Sequence, residues 1–193
     1  MRTDNLSARI ALLDLDRWSG PATRTDLCIL DKLNGPVLDV GCGPGRLVEA
    51  LRERGVRVLG IDAAPTAIAG AQSRGRRVMQ RSVFDPIPDE GSWASVLLFD
   101  GNIGIGGDPS RLLARARDLI ASKGCVIVEL EPPRVPIEFG LVEFEVATGM
   151  VGLFPWCWVG TEQIAGIASS SDLRVEDCRQ LGDRWFAWLA RTG

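Results

Sequence analysis

The sequence predicts an α/β protein with a doubly wound, mostly parallel sheet of seven strands, in which the final strand is antiparallel. Two observations support this prediction. Short apolar runs alternate with helix-forming stretches between residues 36 and 130, as in β-α-β crossovers that place helices on both faces of a parallel sheet. The chain has 193 residues, of which 46% are hydrophobic and 24% charged, which is enough for one domain with a sizeable core.

The first segment, residues 1–34, is predicted to form a helical cover over the main fold. It contains two apolar stretches, residues 10–18 and 27–33, separated by Ser19-Gly20-Pro21. Glycine followed by proline breaks regular structure, so we predict two short helices here.

Residues 35–131 are predicted to form the core of the domain. We expect strands at the short apolar runs, and helices where apolar residues recur at one-turn spacing and Gly or Pro marks an end. The predicted strands are Pro36–Val40, Val56–Ile61, Arg77–Ser82, Ser95–Phe99 and Cys125–Leu130, and the predicted helices are Arg46–Arg54, Pro65–Arg74 and Pro109–Ala121.

Beyond residue 131 the pattern changes. Residues 135–148 are predicted to be extended, and residues 151–158 (VGLFPWCW) are too broken for a long helix. The segment 161–193 is predicted to close the fold, with a helix over Thr161–Ser169 capped by Thr161, and two antiparallel strands, Arg174–Cys178 and Trp185–Leu189, joined at Leu181-Gly182-Asp183.

The composition excludes several classes of function. The chain has no histidine, which rules out His-based catalytic triads and His metal sites. A net charge of −3 argues against a protein that coats nucleic acid. Five widely spaced cysteines without a CxxC pair favour a cytoplasmic protein. Neither a bilayer-spanning run nor a secretory signal pattern is present, so we expect no membrane association.

The strongest chemical motif is VLDVGCGPG at residues 37–45, in which glycine stands at Gly41, Gly43 and Gly45. A buried strand that runs through such a turn into a helix lets a ligand approach the backbone closely. The second predicted strand ends at Asp62, about where nucleoside-binding folds place a carboxylate against ribose hydroxyls. Together these features predict a nucleoside site at the carboxyl ends of the first two core strands.

These motifs resemble those of class I S-adenosylmethionine (SAM) dependent methyltransferases. VLDVGCGPGRL and GIDAAPTAI match the first two motifs of that family, FDPIPDEGSWASVLLF its stretch from the third to the fourth strand, and LLARARDLIASKGCVIVEL its helix leading into the fifth strand. The resemblance covers residues 35–131 and is greatest to small uncharacterised actinobacterial methyltransferases that carry DGNIGIGGDP. It implies a Rossmann-like methyltransferase fold with SAM as the cofactor.

The resemblance also implies cofactor contacts. Asp39 and the turn, including Cys42, are expected to lie against the methionine part of SAM. Asp62, followed by Ala63, is expected to hold the two ribose hydroxyls. Residues 83–85 are expected to border the adenine.

One position in the adenine region departs from the family pattern. Many relatives have an acidic residue where this chain has Val83. Asp85 or a backbone contact would then replace it, with Phe84 covering the adenine ring. Alternatively, Phe84 is an ordinary core residue and Asp85 a turn residue before Pro86.

The segment DGNIGIGGD at residues 100–108 follows the fourth predicted strand, so it should lie at the same sheet edge as the cofactor. Asp100, predicted as a cofactor contact and catalytic residue, and Asn102, predicted to bind substrate, are placed nearest the methyl group. Asp108 is predicted to cap the next helix. Asp100 with Glu129 or Glu131 could ligate Mg²⁺, but the Asp-Asn pair of catechol methyltransferases is missing here, so we predict no metal.

Tryptophans are frequent for a chain of this length, with six in all. Residues 132–160 and the segment before the first core strand are where class I methyltransferases often cover the acceptor. Trp18, Trp156 and Trp158 are therefore predicted to line the acceptor pocket, since ligand pockets are largely apolar and aromatic. Ordinary core packing is the alternative for each of them.

These inferences predict SAM-dependent methyl transfer to a small-molecule acceptor by in-line displacement, in a monomer or homodimer without nucleic-acid partners. Without a histidine base, a carboxylate, thiolate or unprotonated amine is a better nucleophile here than an unactivated hydroxyl. The alternative is a protein of this fold that binds the cofactor as an accessory protein or a non-methylating enzyme.

Overall fold

The computed structural model describes residues 9–12, 20–146 and 149–193. The strands of this part of the chain are β1 (Arg9–Leu12), β2 (Val37–Val40), β3 (Val58–Asp62), β4 (Val78–Gln80), β5 (Trp93–Leu98), β6 (Ile120–Leu130), β7 (Glu138–Val146), β8 (Gly149–Trp158), β9 (Leu173–Leu181) and β10 (Arg184–Arg191). The helices are α1 (Arg24–Leu30), α2 (Arg46–Glu53), α3 (Pro65–Ser73), α4 (Pro109–Leu119) and α5 (Ile164–Ser169), with a 3-10 helix at Asn102–Gly107.

The main sheet has seven strands in the order β4-β3-β2-β5-β6-β10-β9. Strands β2 to β6 run parallel, and β10 pairs antiparallel with both β6 and β9. This confirms the predicted fold class. Because parallel strands end at the same sheet edge, the turns that follow β2, β3, β5 and β6 converge there.

Helices cover both faces of this sheet, as expected for a doubly wound fold. Alternate residues of each strand point to opposite faces of the sheet. The neighbouring residues Leu97 and Leu98 therefore pack against different sets of helices. Leu97 packs in a buried cluster with residues of α1, α2 and α3, while Leu98 packs in a second cluster with residues of α4 and α5. None of the helices in the described ranges is long and apolar enough to cross a membrane.

The prediction of two N-terminal helices was wrong for the first of them. Residues Arg9–Leu12 form β1, which pairs in parallel with β7 from Arg9 opposite Gly140 to Leu12 opposite Glu143. The strand satisfies its backbone groups through a distant partner, which the local apolar spacing could not indicate. Of the predicted helical cover, the described residues contain α1, and Trp18 lies outside them.

Strands β1, β7 and β8 form a second sheet that the sequence did not predict as such. Its strand order is β1-β7-β8. The extended structure expected for residues 135–148 is confirmed over Glu138–Val146 by β7, and residues 147–148 lie outside the described residues. Strand β8 lies against the 3-10 helix so closely that a side chain at Gly104 would come within 2.2 Å of the Cys157 carbonyl oxygen. This contact places the small sheet beside the carboxyl edge of the main sheet.

Two predicted boundaries were also wrong. Helix α4 ends at Leu119 and β6 begins directly at Ile120, because the fully buried Ile120 pairs with Trp93 across an irregularity in the sheet. Helix α5 begins after Gln163 rather than Thr161. The final hairpin turns at Gly182, whose φ of 63° suits glycine. The antiparallel register of β9 with β10 confirms the predicted pairing.

Candidate active site

The glycine-rich turn after β2 has the conformation that its sequence predicts. Gly41, Gly43 and Gly45 have φ angles of 70°, 53° and 83°, which side-chain-bearing residues rarely adopt. A Cβ at Gly41 would lie 2.6 Å from the Asn102 amide nitrogen, whereas a Cβ at Gly43 would have no neighbour within 4 Å. The turn is therefore packed from behind at Gly41 and open at Gly43.

Asp62 holds this turn from the end of β3. Its carboxylate accepts hydrogen bonds from the backbone N–H groups of Gly43 and Ala64, both at 2.8 Å. Burial raises the pKa of Asp62, and these backbone donors oppose the rise. Each carboxylate oxygen retains a lone pair for a further donor, so Asp62 can shape the turn and still accept hydrogen bonds from a ligand.

Asp39, on β2 just before the turn, is a buried carboxylate with unused hydrogen-bonding capacity. It is only 2% exposed, and its Oδ2 atom has no hydrogen-bond partner among the described residues. Burial, which Arg46 only partly offsets, raises the pKa of Asp39 to about 7. A buried acceptor without a donor is costly, so this oxygen marks a place where a bound donor would be favourable.

The raised pKa of Asp39 predicts a pH-dependent stability. The pKa of the Asp39 carboxyl is 3.8 in the unfolded chain and about 7 in the folded protein. Between these values the folded state binds a proton that the unfolded state has lost, so the free energy of unfolding falls as pH rises from about 4 to about 7. We expect Asp39→Asn, which cannot ionise, to gain free energy of unfolding relative to the wild type across this window. Urea denaturation at pH 4, 5.5 and 7.5 would measure the gain, with Asp31→Asn as an exposed control. A difference that does not change with pH would contradict the assignment.

Asn102, predicted to bind substrate, supports the glycine turn. Its Nδ2 atom donates to the carbonyl oxygens of Val40 and Gly41, at 2.8 and 3.0 Å. These two bonds occupy both donors of the amide nitrogen. Substrate binding by Asn102 stays a prediction, and only its amide oxygen is left to serve it.

Asp100 follows β5 in a left-handed conformation, with a φ of 55° that is unusual for a residue other than glycine. Its backbone N–H donates to Glu129 Oε2 at 2.5 Å. Its carboxylate accepts hydrogen bonds from Arg46 at 2.6 Å and from Arg184 at 3.4 Å. Burial raises the pKa of Asp100, and the two arginines only partly offset this. Asp100 is thus fixed from three sides.

The two arginines belong to a buried network of charges that joins distant parts of the chain. Both also donate to Asp26 at the start of α1, Arg184 at 2.6 Å, and Arg184 pairs through two nitrogens with Glu129. Burial alone would raise the pKa of Asp26, but these guanidinium groups outweigh it and hold the pKa below its usual value. Asp26 in addition completes a capping box with Thr23, so one carboxylate fixes both α1 and the site.

Sequence patterns indicated no functional role for Asp26, Arg46 or Arg184, and they suggested Glu129 only as a metal ligand. The sequence nevertheless indicated that Glu129 and Arg184 are buried charges, because each adjoins a strongly apolar strand sequence. A charge at such a position needs a buried partner, but the sequence does not say which one. Asp100 and Glu129, which were considered as ligands of one Mg²⁺ ion, both accept hydrogen bonds from Arg184. The described residues contain no group of three or more Cys, Asp or Glu side chains suited to a metal.

The loop predicted to border the adenine is held by Arg115 from α4. Its guanidinium donates to the carbonyl oxygens of Val83 and Asp85 at 2.9 and 2.8 Å. Val83 is 4% exposed and belongs to the core, while the Phe84 ring lies 4.2 Å from the Arg111 guanidinium. Phe84 is partly buried against the core, and the cofactor contacts of Phe84 and Asp85 stay a prediction.

A cavity of about 260 Å³ lies beside Asp100 at the carboxyl edge of the sheet. Its lining comes from the segments after β5 and β6, the end of β8 and the start of β10: Gly101, Ile103, Glu129, Leu130, Glu131, Pro132, Cys157, Trp158, Val159, Asp183, Arg184 and Trp185. Trp158 thus lines this cavity. Trp156 is buried and packs against Gly104, and its part in acceptor binding stays a prediction.

The central part of the chain is similar to known methyltransferases. Residues 37–124 match a methyltransferase domain. A ubiquinone biosynthesis O-methyltransferase from Leptothrix cholodnii is 57% identical over 42 residues, which are 21% of this chain and 18% of that protein. The match therefore spans less than a fifth of the curated relative.

Solved methyltransferases share the fold. A SAM-dependent methyltransferase from Bacteroides fragilis, in complex with S-adenosylhomocysteine, superposes with a TM-score of 0.75 and 18% identity, over 94% of this chain and 83% of that one. The 1,6-didemethyltoxoflavin-N1-methyltransferase from Burkholderia thailandensis does so with a TM-score of 0.66 and 20% identity, over 92% and 81%. At these identities the likeness establishes the fold.

The stretch that matches the methyltransferase domain contains the glycine turn, Asp62 and Asp100, but it ends before the cavity wall is complete. Glu129, Glu131 and Arg184 all lie outside residues 37–124. The domain match thus covers the side of the site where a cofactor is expected, and the cavity is built largely from the chain that follows.

Proposed function

We propose that the protein is a SAM-dependent methyltransferase that transfers a methyl group to a small-molecule acceptor by in-line displacement. The observation that carries this proposal is the glycine turn, open at Gly43 and flanked by the carboxylates of Asp39 and Asp62, at the same sheet edge as the cavity. In this arrangement residues 35–131 bind the cofactor and residues 132–160 help to cover the acceptor.

The residues of the turn fit a cofactor with both amino and hydroxyl groups. The Oδ2 atom of Asp39, which has no hydrogen-bond partner in the described ranges, can accept a hydrogen bond from the methionine part, and Gly43 leaves room for its close approach. Asp62 can accept hydrogen bonds from ribose hydroxyls in addition to those from the backbone. The bound cofactor supplies a methyl group already activated by a positively charged sulfonium.

A small-molecule acceptor agrees with the size of the cavity and with the comparisons. The Burkholderia thailandensis structure holds 1,6-didemethyltoxoflavin together with S-adenosylhomocysteine, and a cavity of about 260 Å³ suits an acceptor of modest size. The main task of the protein is then to align two reactants and exclude water.

Asp100 is proposed to orient the reacting groups. Its carboxylate is held by Arg46 and Arg184 and its backbone N–H by Glu129, so its position is fixed before the acceptor binds. Two arginines already occupy its carboxylate oxygens, so these oxygens are not free to approach the proton of an acceptor, even though burial raises the pKa of Asp100. We therefore propose Asp100 as the residue that aligns the acceptor, in place of a strong general base.

The cofactor assignment predicts a loss of affinity in Asp62→Ala. The change removes the acceptor of ribose hydroxyls and two hydrogen bonds that shape the turn, and charge-assisted bonds contribute about 1.5–3 kcal/mol each. We expect SAM to bind at least about tenfold more weakly, as measured by calorimetry. Asp31→Ala, at an exposed position on the surface, is the matched control, and equal affinities of the two variants would contradict the assignment.

Methyl transfer itself is tested by incubating the protein with SAM and a panel of small molecules and measuring S-adenosylhomocysteine. Formation of S-adenosylhomocysteine together with a methylated product would support the proposal. Tight SAM binding without any turnover across amines, thiols, carboxylates and phenols would favour the accessory or non-methylating alternative.

A further inference from the structure

The charges that line the cavity are unequal. Among the described lining residues, Glu129, Glu131 and Asp183 carry carboxylates and Arg184 carries a guanidinium. Glu129 and Arg184 neutralise each other through two hydrogen bonds. Glu131 and Asp183 therefore leave the cavity with an excess of negative charge.

Arg184 cannot offer its charge to an anionic ligand without breaking the network. Its nitrogens already donate to Glu129, Asp26 and Asp100, and its side chain is 8% exposed. Breaking one of these buried pairs to bind a ligand anion would leave a carboxylate without its partner, which is costly. The guanidinium is thus part of the wall and is not an anchor for a carboxylate or thiolate.

The remaining carboxylates are available to a cation. Glu131 is half-buried and Asp183 is exposed at the rim, and within the described ranges neither forms an ion pair with an arginine or lysine. Two tryptophans, Trp158 and Trp185, lie in the same lining. Indole rings attract positively charged nitrogen through their electron-rich faces, so the aromatic and acidic parts of the wall favour the same ligand charge.

We infer that this cavity binds a small molecule with an apolar or aromatic body and a positively charged amine, and that Glu131 and Asp183 determine this preference. The inference deepens the proposed function by naming the class of acceptor, and it rests on that function. Among the nucleophiles that the sequence left open, it disfavours carboxylates and thiolates and keeps amines. An amine bound as the ammonium must first give a proton to a cavity carboxylate such as Glu131, and its freed lone pair can then attack the methyl group.

Three probes of similar size separate the charge preference from the apolar contact. 2-Phenylethylamine is cationic at neutral pH, 2-phenylethanol is neutral and 3-phenylpropanoate is anionic. Saturation-transfer NMR titrations would be run with and without S-adenosylhomocysteine, which directs the probes away from the cofactor site. We expect the amine to bind at least about tenfold more tightly than the alcohol, and the carboxylate to bind most weakly.

A double variant, Glu131→Gln with Asp183→Asn, removes the charges and keeps the shapes. Since neither side chain is buried in the core, the variant should fold, and circular dichroism would verify this. We expect its affinity for the amine to fall about fivefold to tenfold, with the affinity for the alcohol unchanged within about twofold. Glu53→Gln, which removes an exposed carboxylate at the end of α2, is the control and should bind all three probes as the wild type does.

The outcomes distinguish this inference from the proposed function. Equal binding of the three probes, preferred binding of the carboxylate, or unchanged amine affinity in the double variant would overturn the cavity assignment. A wild-type protein that selects the amine but binds neither SAM nor S-adenosylhomocysteine would overturn the proposed function and support the cavity assignment.

Discussion

Gly43→Val is expected to abolish SAM binding while the protein remains folded. Gly43 has a φ of 53° and faces open space, so a branched side chain would fill the approach to the turn and would also strain the backbone. We expect the SAM affinity to fall at least about 100-fold, as measured by calorimetry on protein whose circular dichroism matches the wild type.

The matched control separates blocked access from backbone strain. Gly55 has a similar φ of 72°, and a Cβ at this position would also have no neighbour within 4 Å, but Gly55 follows α2 at the opposite edge of the sheet. Gly55→Val should therefore carry a similar strain and bind SAM normally. If Gly43→Val binds SAM as well as Gly55→Val does, the glycine turn is not the cofactor site.

Arg184→Met is expected to be the most destabilising single change in the network. It leaves Glu129 without its guanidinium partner and Asp26 with Arg46 alone, while both carboxylates stay buried. Removing one partner of a buried ion pair costs about 3–5 kcal/mol. We expect the free energy of unfolding to fall by about this amount, measured by urea denaturation at neutral pH.

Two further variants test whether the loss of stability comes from the buried network. Arg52→Met breaks an ion pair with Glu49 at a position that is 58% exposed, and little change in stability is expected there. Arg184→Lys keeps the positive charge but not the forked geometry, so it should recover part of the loss. A stability of Arg184→Met close to that of Arg52→Met would show that the network does not stabilise the fold.

The alternation of strands and helices could be predicted from the sequence because it depends on nearby residues. The apolar run before Gly41 and the helix that begins at Arg46 each carry their signal within about ten residues. The same holds for the hairpin at Gly182, where a positive φ favours glycine. Predicted elements of this kind were confirmed, with shifts of a few residues at their ends.

Elements that depend on a distant partner could not be predicted in this way. Residues Arg9–Leu12 have apolar spacing that suits a short helix, yet they form a strand because β7 offers a free edge. Helix α4 stops at Leu119 because the next residue, Ile120, pairs with Trp93. In both cases tertiary pairing overrides a weak local preference.

The sequence by itself determined the glycine turn and Asp62, since a positive φ and a carboxylate at the end of a neighbouring strand are properties of a short motif within a parallel sheet. Only the tertiary structure decided the partners of the buried charges. Arg184 meets Asp26 across 158 residues of sequence, and no local pattern connects two such positions. A buried charge must find its counter-ion wherever the chain topology brings one, and that topology also places the cavity between β6, β8 and β10.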